Sequence, residues 1–170
     1  MKAFFSSLAI VAFAAAWIFA ELKAEEATAF LKSLEAGGAF KIESSLLVNE
    51  RAQSAEVKSF ARQMISDHAH IQEEIRVAVQ AANASMPRLQ ETAAKQKASL
   101  LELNTLTGNE FEQAYVRAQL QTHLELVALV RLYAHKGRSA SLRDFARKEL
   151  PTLERDLRMA QQLSKRDSWH

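Results

Sequence analysis

Ala55 to Asn83 reads AEVKSFARQMISDHAHIQEEIRVAVQAAN, and the spacing within it decides the fold class. Val57, Ala61, Met64, His68, Ile71, Ile75, Ala78 and Ala82 recur alternately every four and three positions. That period puts one continuous stripe on an α-helix and is incompatible with the alternation of a strand. Ser54 stands immediately before it as an N-cap, and Pro87 cannot continue the hydrogen-bond ladder beyond the Asn83 to Pro87 segment.

The same rule extends outward. Val116, Leu120, His123, Val127, Val130 and Ala134 form a stripe on a helix expected over Asn109 to His135, with Gly137 as its C′ residue. Leu142, Ala146, Leu150, Leu153, Leu157 and Ala160 form another over Leu142 to Leu163, capped by Ser139 or Ser141 and kinked at Pro151. Gly37-Gly38 is expected to separate a short amphipathic stretch, Glu25 to Glu35, from a first long helix over Ala39 to Gln53. A shorter helix is expected from Leu89 to Leu106. Four long amphipathic helices with short accessory ones specify an all-α four-helix bundle. With 4 glycines and 2 prolines in 170 residues, turn signals are too sparse for a β-sandwich or barrel. The absence of cysteine removes disulfides, thiolate metal sites and cysteine nucleophiles together.

Residues 1–20 have the layout of a secretory signal peptide. Lys2 supplies the positive start, Phe4 to Phe19 is an apolar run, and cleavage falls at Ala20 or Ala24. The rival reading is an uncleaved anchor. The expected organisation is a leader over 1–20 (to 24 at the alternative site), a bundle over 25–165 and a disordered tail over 166–170, in a protein exported to the periplasm or cell envelope. The chain carries 22 basic and 20 acidic residues, and removal of the leader takes one lysine and no acid. Such a balance argues against nucleic acid as a partner. Lys136 to Arg166 nevertheless holds nine basic residues against four acids. This basic fourth helix either complements an acidic helix face within the bundle or contacts an envelope protein or an anionic membrane surface.

Polar residues on apolar stripes are the candidate chemistry. His68 and His123 occupy core positions, Glu43 lies one turn from Phe40 and from Leu46-Leu47, and Asp156 stands at the edge of its stripe beside Leu153 and Leu157. An inward carboxylate needs a cation, a histidine or water. Glu43, His68, His123 and Asp156 would offer two nitrogens and two oxygens to a single zinc, iron, copper or manganese ion, with no selection among them. The same four also fit a core in which the histidines simply pair with the acids. A di-iron centre would need Glu-x-x-His on two helices, and the residues three before His68, His70, His123 and His135 are Ile65, Asp67, Leu120 and Leu132. Asp67, His70 and Glu74 share a helix face and read as a solvated charged surface. No nucleophile elbow, phosphate loop or dinucleotide fingerprint is present, so no catalytic residue is assigned.

Three blocks carry a family resemblance. Phe60-Ala61-Arg62-Gln63-Met64-Ile65-Ser66-Asp67-His68, Thr107-Gly108-Asn109-Glu110-Phe111-Glu112-Gln113-Ala114-Tyr115 with His123 following, and Leu150-Pro151-Thr152-Leu153-Glu154-Arg155-Asp156-Leu157 together resemble domain-of-unknown-function family 4142. Members of that family are exported bacterial proteins often labelled as outer-membrane proteins. The resemblance spans about residues 25 to 163 and implies a ferritin-like bundle with no established activity. The family pattern has histidine at the places of His68 and His123 and usually glutamate at Glu43. It has histidine where this chain has Asp156. The resulting expectation is an exported metal-binding or stress-related envelope protein. Any catalysis would be metal-dependent redox chemistry with Tyr115 nearby, and the alternative is an interaction or scaffold module without metal.

Overall fold

A computed structural model describes residues 4–82, 84 and 94–166, with side chains from Ala20 onward. Five helices follow in order: α1 Phe4–Arg51, α2 Ala55–Ala81, α3 Ala94–Thr105, α4 Gly108–Lys136 and α5 Ala140–Ser164. The described residues contain no strand. The Asn83 to Pro87 break except Ala84, the first residues of the expected short helix and the last four of the tail lie outside the described residues. So do the side chains of the apolar run.

Two apolar clusters fix the topology. One joins Phe30, Leu31 and Leu34 of α1, Ile71 and Ile75 of α2, Val127 and Val130 of α4, and Leu142 and Leu153 of α5. The other joins Val48 of α1, Phe60 and Met64 of α2, Phe111 and Tyr115 of α4, and Ala160 and Leu163 of α5. Ascending residue numbers therefore run the same way in α2 and α4, and the opposite way in α1 and α5. Two antiparallel hairpins, α1–α2 and α4–α5, are packed side by side, and the α2–α4 connection returns along the length of the bundle. α3 packs against α1 and α4 within that crossover, with Leu103 in the second cluster. A four-helix bundle with one long crossover is the ferritin-like arrangement.

Gly37-Gly38 does not break α1, which runs unbroken from the apolar run into the bundle. Both glycines are buried where α1 meets polar side chains. A Cβ at Gly38 would sit 3.5 Å from Gln72 Nε2, and one at Gly37 would sit 3.7 Å from Lys41 Nζ. Tertiary packing over the long buried face outweighs the helix penalty of two glycines, about 2 kcal/mol together. Gly137 ends α4 as expected, but at φ −57° and so not in the left-handed conformation. Its requirement is space: a Cβ there would run into the Tyr133 ring. The left-handed glycine is Gly108, at φ 56°, where the chain turns into α4. Pro151 lies inside α5, which continues through it.

The α1–α2 turn is held from outside. Glu112 of α4 is buried, and its Oε1 accepts from the backbone amides of Gln53 at 2.6 Å and Ser54 at 2.9 Å. Ser54 Oγ caps α2 by accepting from Val57 N at 3.3 Å, an interaction worth about 1 kcal/mol. Arg166 Nη1 donates to the same hydroxyl at 2.9 Å, so this first residue of the expected tail is tied to the bundle. Arg51 Nη2 donates to Leu106 O at 2.6 Å, and its guanidinium stacks 4.3 Å above Phe111.

Candidate metal centre

Between the two apolar clusters lies a layer of buried polar side chains. α1 contributes Lys41, Ser44 and Ser45, α2 contributes His68, α4 contributes Gln119 and His123, and α5 contributes Asp156, all fully buried. Each falls on the stripe that also buries its neighbours one turn away, Met64 and Ile71 around His68, and Leu153 and Ala160 around Asp156. Helix phase alone therefore carries these side chains to the bundle axis.

His68, His123 and Asp156 converge, each offering a ligand atom within 4.8 Å of the others. The two Nε2 atoms are 3.4 Å apart, with the rings inclined at 64°. His123 Nδ1 lies 2.8 Å from the Gln119 carbonyl, which only accepts. That contact assigns the proton to Nδ1 and leaves a lone pair on Nε2, the tautomer that a carbonyl behind the ring imposes on a ligating histidine. His68 Nδ1 and Asp156 Oδ2 are buried without a hydrogen-bond partner. Burial holds both imidazoles well below their usual pKa, with Lys41 adding to the effect, so each ring is neutral and able to ligate.

Glu43 is not brought to this cluster. Its residue is exposed, while Lys41 faces inward. Two positions on a helix are about 200° apart, so the two residues cannot share a face. The unbroken α1 sets the phase through Leu34, Lys41, Ser44, Ser45 and Val48, all buried. Leu46, which made Glu43 look core-facing, is itself 49% exposed. Sequence reasoning missed Lys41, Ser44, Ser45 and Gln119, although their phase with Val48 and Val116 carried the signal.

Lys41 and Asp156 are opposite charges deep in the layer. Burial pushes the Lys41 ammonium down to about 7, against the attraction of Asp156 and Glu125. Burial pushes the Asp156 carboxyl up to about 7, reinforced by Asp67 and opposed by Arg155 and Lys41. Lys41 Nζ has one long contact, 3.5 Å to Gly37 O. The rest of the layer is knit together: Tyr115 Oη and Ser45 Oγ are 2.8 Å apart, Gln119 Nε2 donates to Ser44 Oγ at 3.0 Å, and Ser44 Oγ donates to Phe40 O at 2.7 Å. Burial raises the Tyr115 phenol above its usual range, so it stays protonated.

Asp67 and Glu74, read as part of a solvated face, instead form a seam with α5. Arg155 Nη2 reaches Asp67 at 2.7 Å, and Lys148 Nζ reaches Glu74 at 2.5 Å. His70 remains exposed. Arg166 of the same basic region pairs with Glu56 of α2 at 3.4 Å.

Fold and layer together define a ferritin-like four-helix protein with a buried histidine–carboxylate cluster where such bundles place metals. The chain belongs to the domain of unknown function DUF4142, whose family profile matches residues 16–163. Its fold is similar to the crystal structure of a DUF305 protein from Streptomyces coelicolor, provisionally described as secreted. That similarity has a TM-score of 0.65 at 16% identity and covers 81% of this chain and 91% of the other. None of the curated proteins matches the chain. Among the described residues no helix is long and apolar enough to cross a membrane.

Proposed function

We propose that this protein binds one transition metal ion through His68 Nε2, His123 Nε2 and a carboxylate oxygen of Asp156, as an exported metal-binding protein of the cell envelope. The observation that carries the reading is the 3.4 Å separation of two Nε2 atoms, one of which has its lone pair set by a carbonyl on the far side of the ring. Two nitrogens at tetrahedral angles on a zinc-like ion, with bonds of about 2.0–2.1 Å, lie about 3.3–3.4 Å apart. The partnerless Asp156 Oδ2 supplies the acidic donor. Two imidazoles and a carboxylate suit zinc, iron, copper or manganese. Three protein ligands leave a further position for water or a small molecule. The apolar run over Phe4 to Phe19 and the secreted description of the DUF305 relative support export.

The test is elemental analysis of untagged protein purified from its native compartment without chelators, beside His68→Ala and His123→Ala. One equivalent of metal in the wild type, lost from both variants, is the expected result. Affinity should also strengthen as pH rises through about 7, because Asp156 must lose its proton and Lys41 its charge for a cation to enter. A wild type that stays metal-free after reloading with all four metals would leave the histidines as core hydrogen-bonding groups and favour a scaffold role.

A further inference from the structure

All three ligands of the proposed site are fully buried, so an incoming ion must pass a side chain that reaches both the cluster and solvent. Arg155 does both. Its side chain is 45% exposed, yet Nε and Nη2 donate to Asp156 Oδ1 at 3.3 and 3.1 Å. The same Nη2 donates to Asp67 Oδ2 at 2.7 Å, and Gln63 Nε2 holds that oxygen from the other side at 2.6 Å. Asp67 is itself only 15% exposed. From solvent inward the order is therefore Arg155, Asp67, and then Asp156 with the histidine pair.

We propose that Arg155 is a resident cation, displaced onto Asp67 when a divalent metal ion binds Asp156, and that Asp67 is the outer carboxylate of the access path. This rests on the metal-binding reading above. A guanidinium never loses its charge, so in the metal-free chain it is the cation hydrogen-bonded to the buried carboxylate of Asp156. Both of its bonds to Asp156 fall on Oδ1, which leaves Oδ2 turned elsewhere. A divalent ion and a guanidinium on one carboxylate repel each other, and the repulsion is strong where water is excluded. The guanidinium already makes its shortest contact with Asp67. A long, half-exposed side chain can complete that transfer by rotamer change alone.

The geometry makes opposite demands on two substitutions. Arg155→Ala removes the competitor, so the ion should load faster and bind more tightly. Asp67→Asn removes the negative charge that would take up the displaced Arg155, so the ion should load more slowly and bind less tightly. Simple loss of packing would weaken binding in both. The experiment uses the full exported chain, stripped of metal, with Co²⁺ as probe. Its visible absorption gives affinity by titration and loading rate by stopped flow. Shifts of about tenfold in opposite directions are expected, the size typical of outer-shell partners. If the wild type gives no Co²⁺ absorption, the metal-binding reading fails and takes this one with it. If the wild type binds, His68→Ala does not, and the two variants shift together or stay unchanged, the site stands and the displacement of Arg155 is refuted.

Discussion

Around Phe60, Phe111 and Leu163 the four long helices meet through side chains that need only fit. A few turns along, the same helices meet through Lys41, His68, His123 and Asp156, which need partners as well as space. In the apolar half, burial is favourable residue by residue, at roughly 1.5–3 kcal/mol for each large side chain. In the polar layer, burial is costly for every charge, and several donors and acceptors remain unmatched. The first arrangement holds the bundle together. The second weakens it at a defined depth and sets one ligating atom from each of three helices, which is what a binding site requires.

That contrast can be broken from either side, and the largest effect should come from the apolar half. Phe60 is buried and meets the Tyr115 ring edge-on at 6.0 Å. Phe60→Ala should cost about 3–5 kcal/mol in urea unfolding of the metal-free protein. In the polar layer the sign should reverse. Lys41→Met keeps the volume and removes a charge that burial disfavours even with Asp156 nearby, while Asp156 keeps its bonds from Arg155, so it should stabilise the metal-free protein by roughly 1–4 kcal/mol.

The pH dependence sharpens the same point. Unfolded Lys41 holds its proton up to about 10.5, whereas the folded side chain releases it near 7. Between those values the unfolded state binds the extra proton, so wild-type stability gains from this group as pH rises, and Lys41→Met should lack the gain. Asp156 runs the other way: the folded carboxyl keeps its proton to about 7 and the unfolded one loses it near 3.8, so its contribution falls as pH rises across that interval. Urea midpoints at pH 7 and 9 for wild type and Lys41→Met isolate the lysine part.

Two glycines give the smallest effects, again of opposite sign. Gly137→Ala drives a methyl into the Tyr133 ring and should cost about 1–3 kcal/mol. Gly38→Ala meets only ordinary contacts with Gln72 and should raise stability by up to about 1 kcal/mol through helix propensity. Thermal unfolding of both variants checks the pair.

The stripes on α2, α4 and α5 were legible because long periodic helices bury what their phase dictates. His68 and His123 followed from those stripes, and Asp156 from the edge of its own. α1 was harder. With Gly37-Gly38 read as a break, the helix after it was phased only by Phe40 and Leu46-Leu47, which put Glu43 at the core and left Lys41 unread. The prior against a fully buried lysine pointed the same way. Glu112, which holds the α1–α2 turn, stands one turn before Val116 on the α4 stripe, but the stripe could not show its role, because its partners are backbone amides of another segment. The direction of Arg155, between Asp67 and Asp156, depends on how α5 lies against α2, and no local pattern encodes that.

The crossover between α2 and α4 gives the polar layer one more property. Lys41 and His68 belong to the first hairpin, and His123 and Asp156 to the second. Each hairpin closes through a short turn, but the histidine pair spans 55 positions of chain. A metal ion held there would rivet two separately closing halves, so occupancy would report whether the halves have met. Expressed as two fragments, one ending after α2 and one beginning before α4, the chain should reassemble more readily with the ion than without it, if the proposed site is correct.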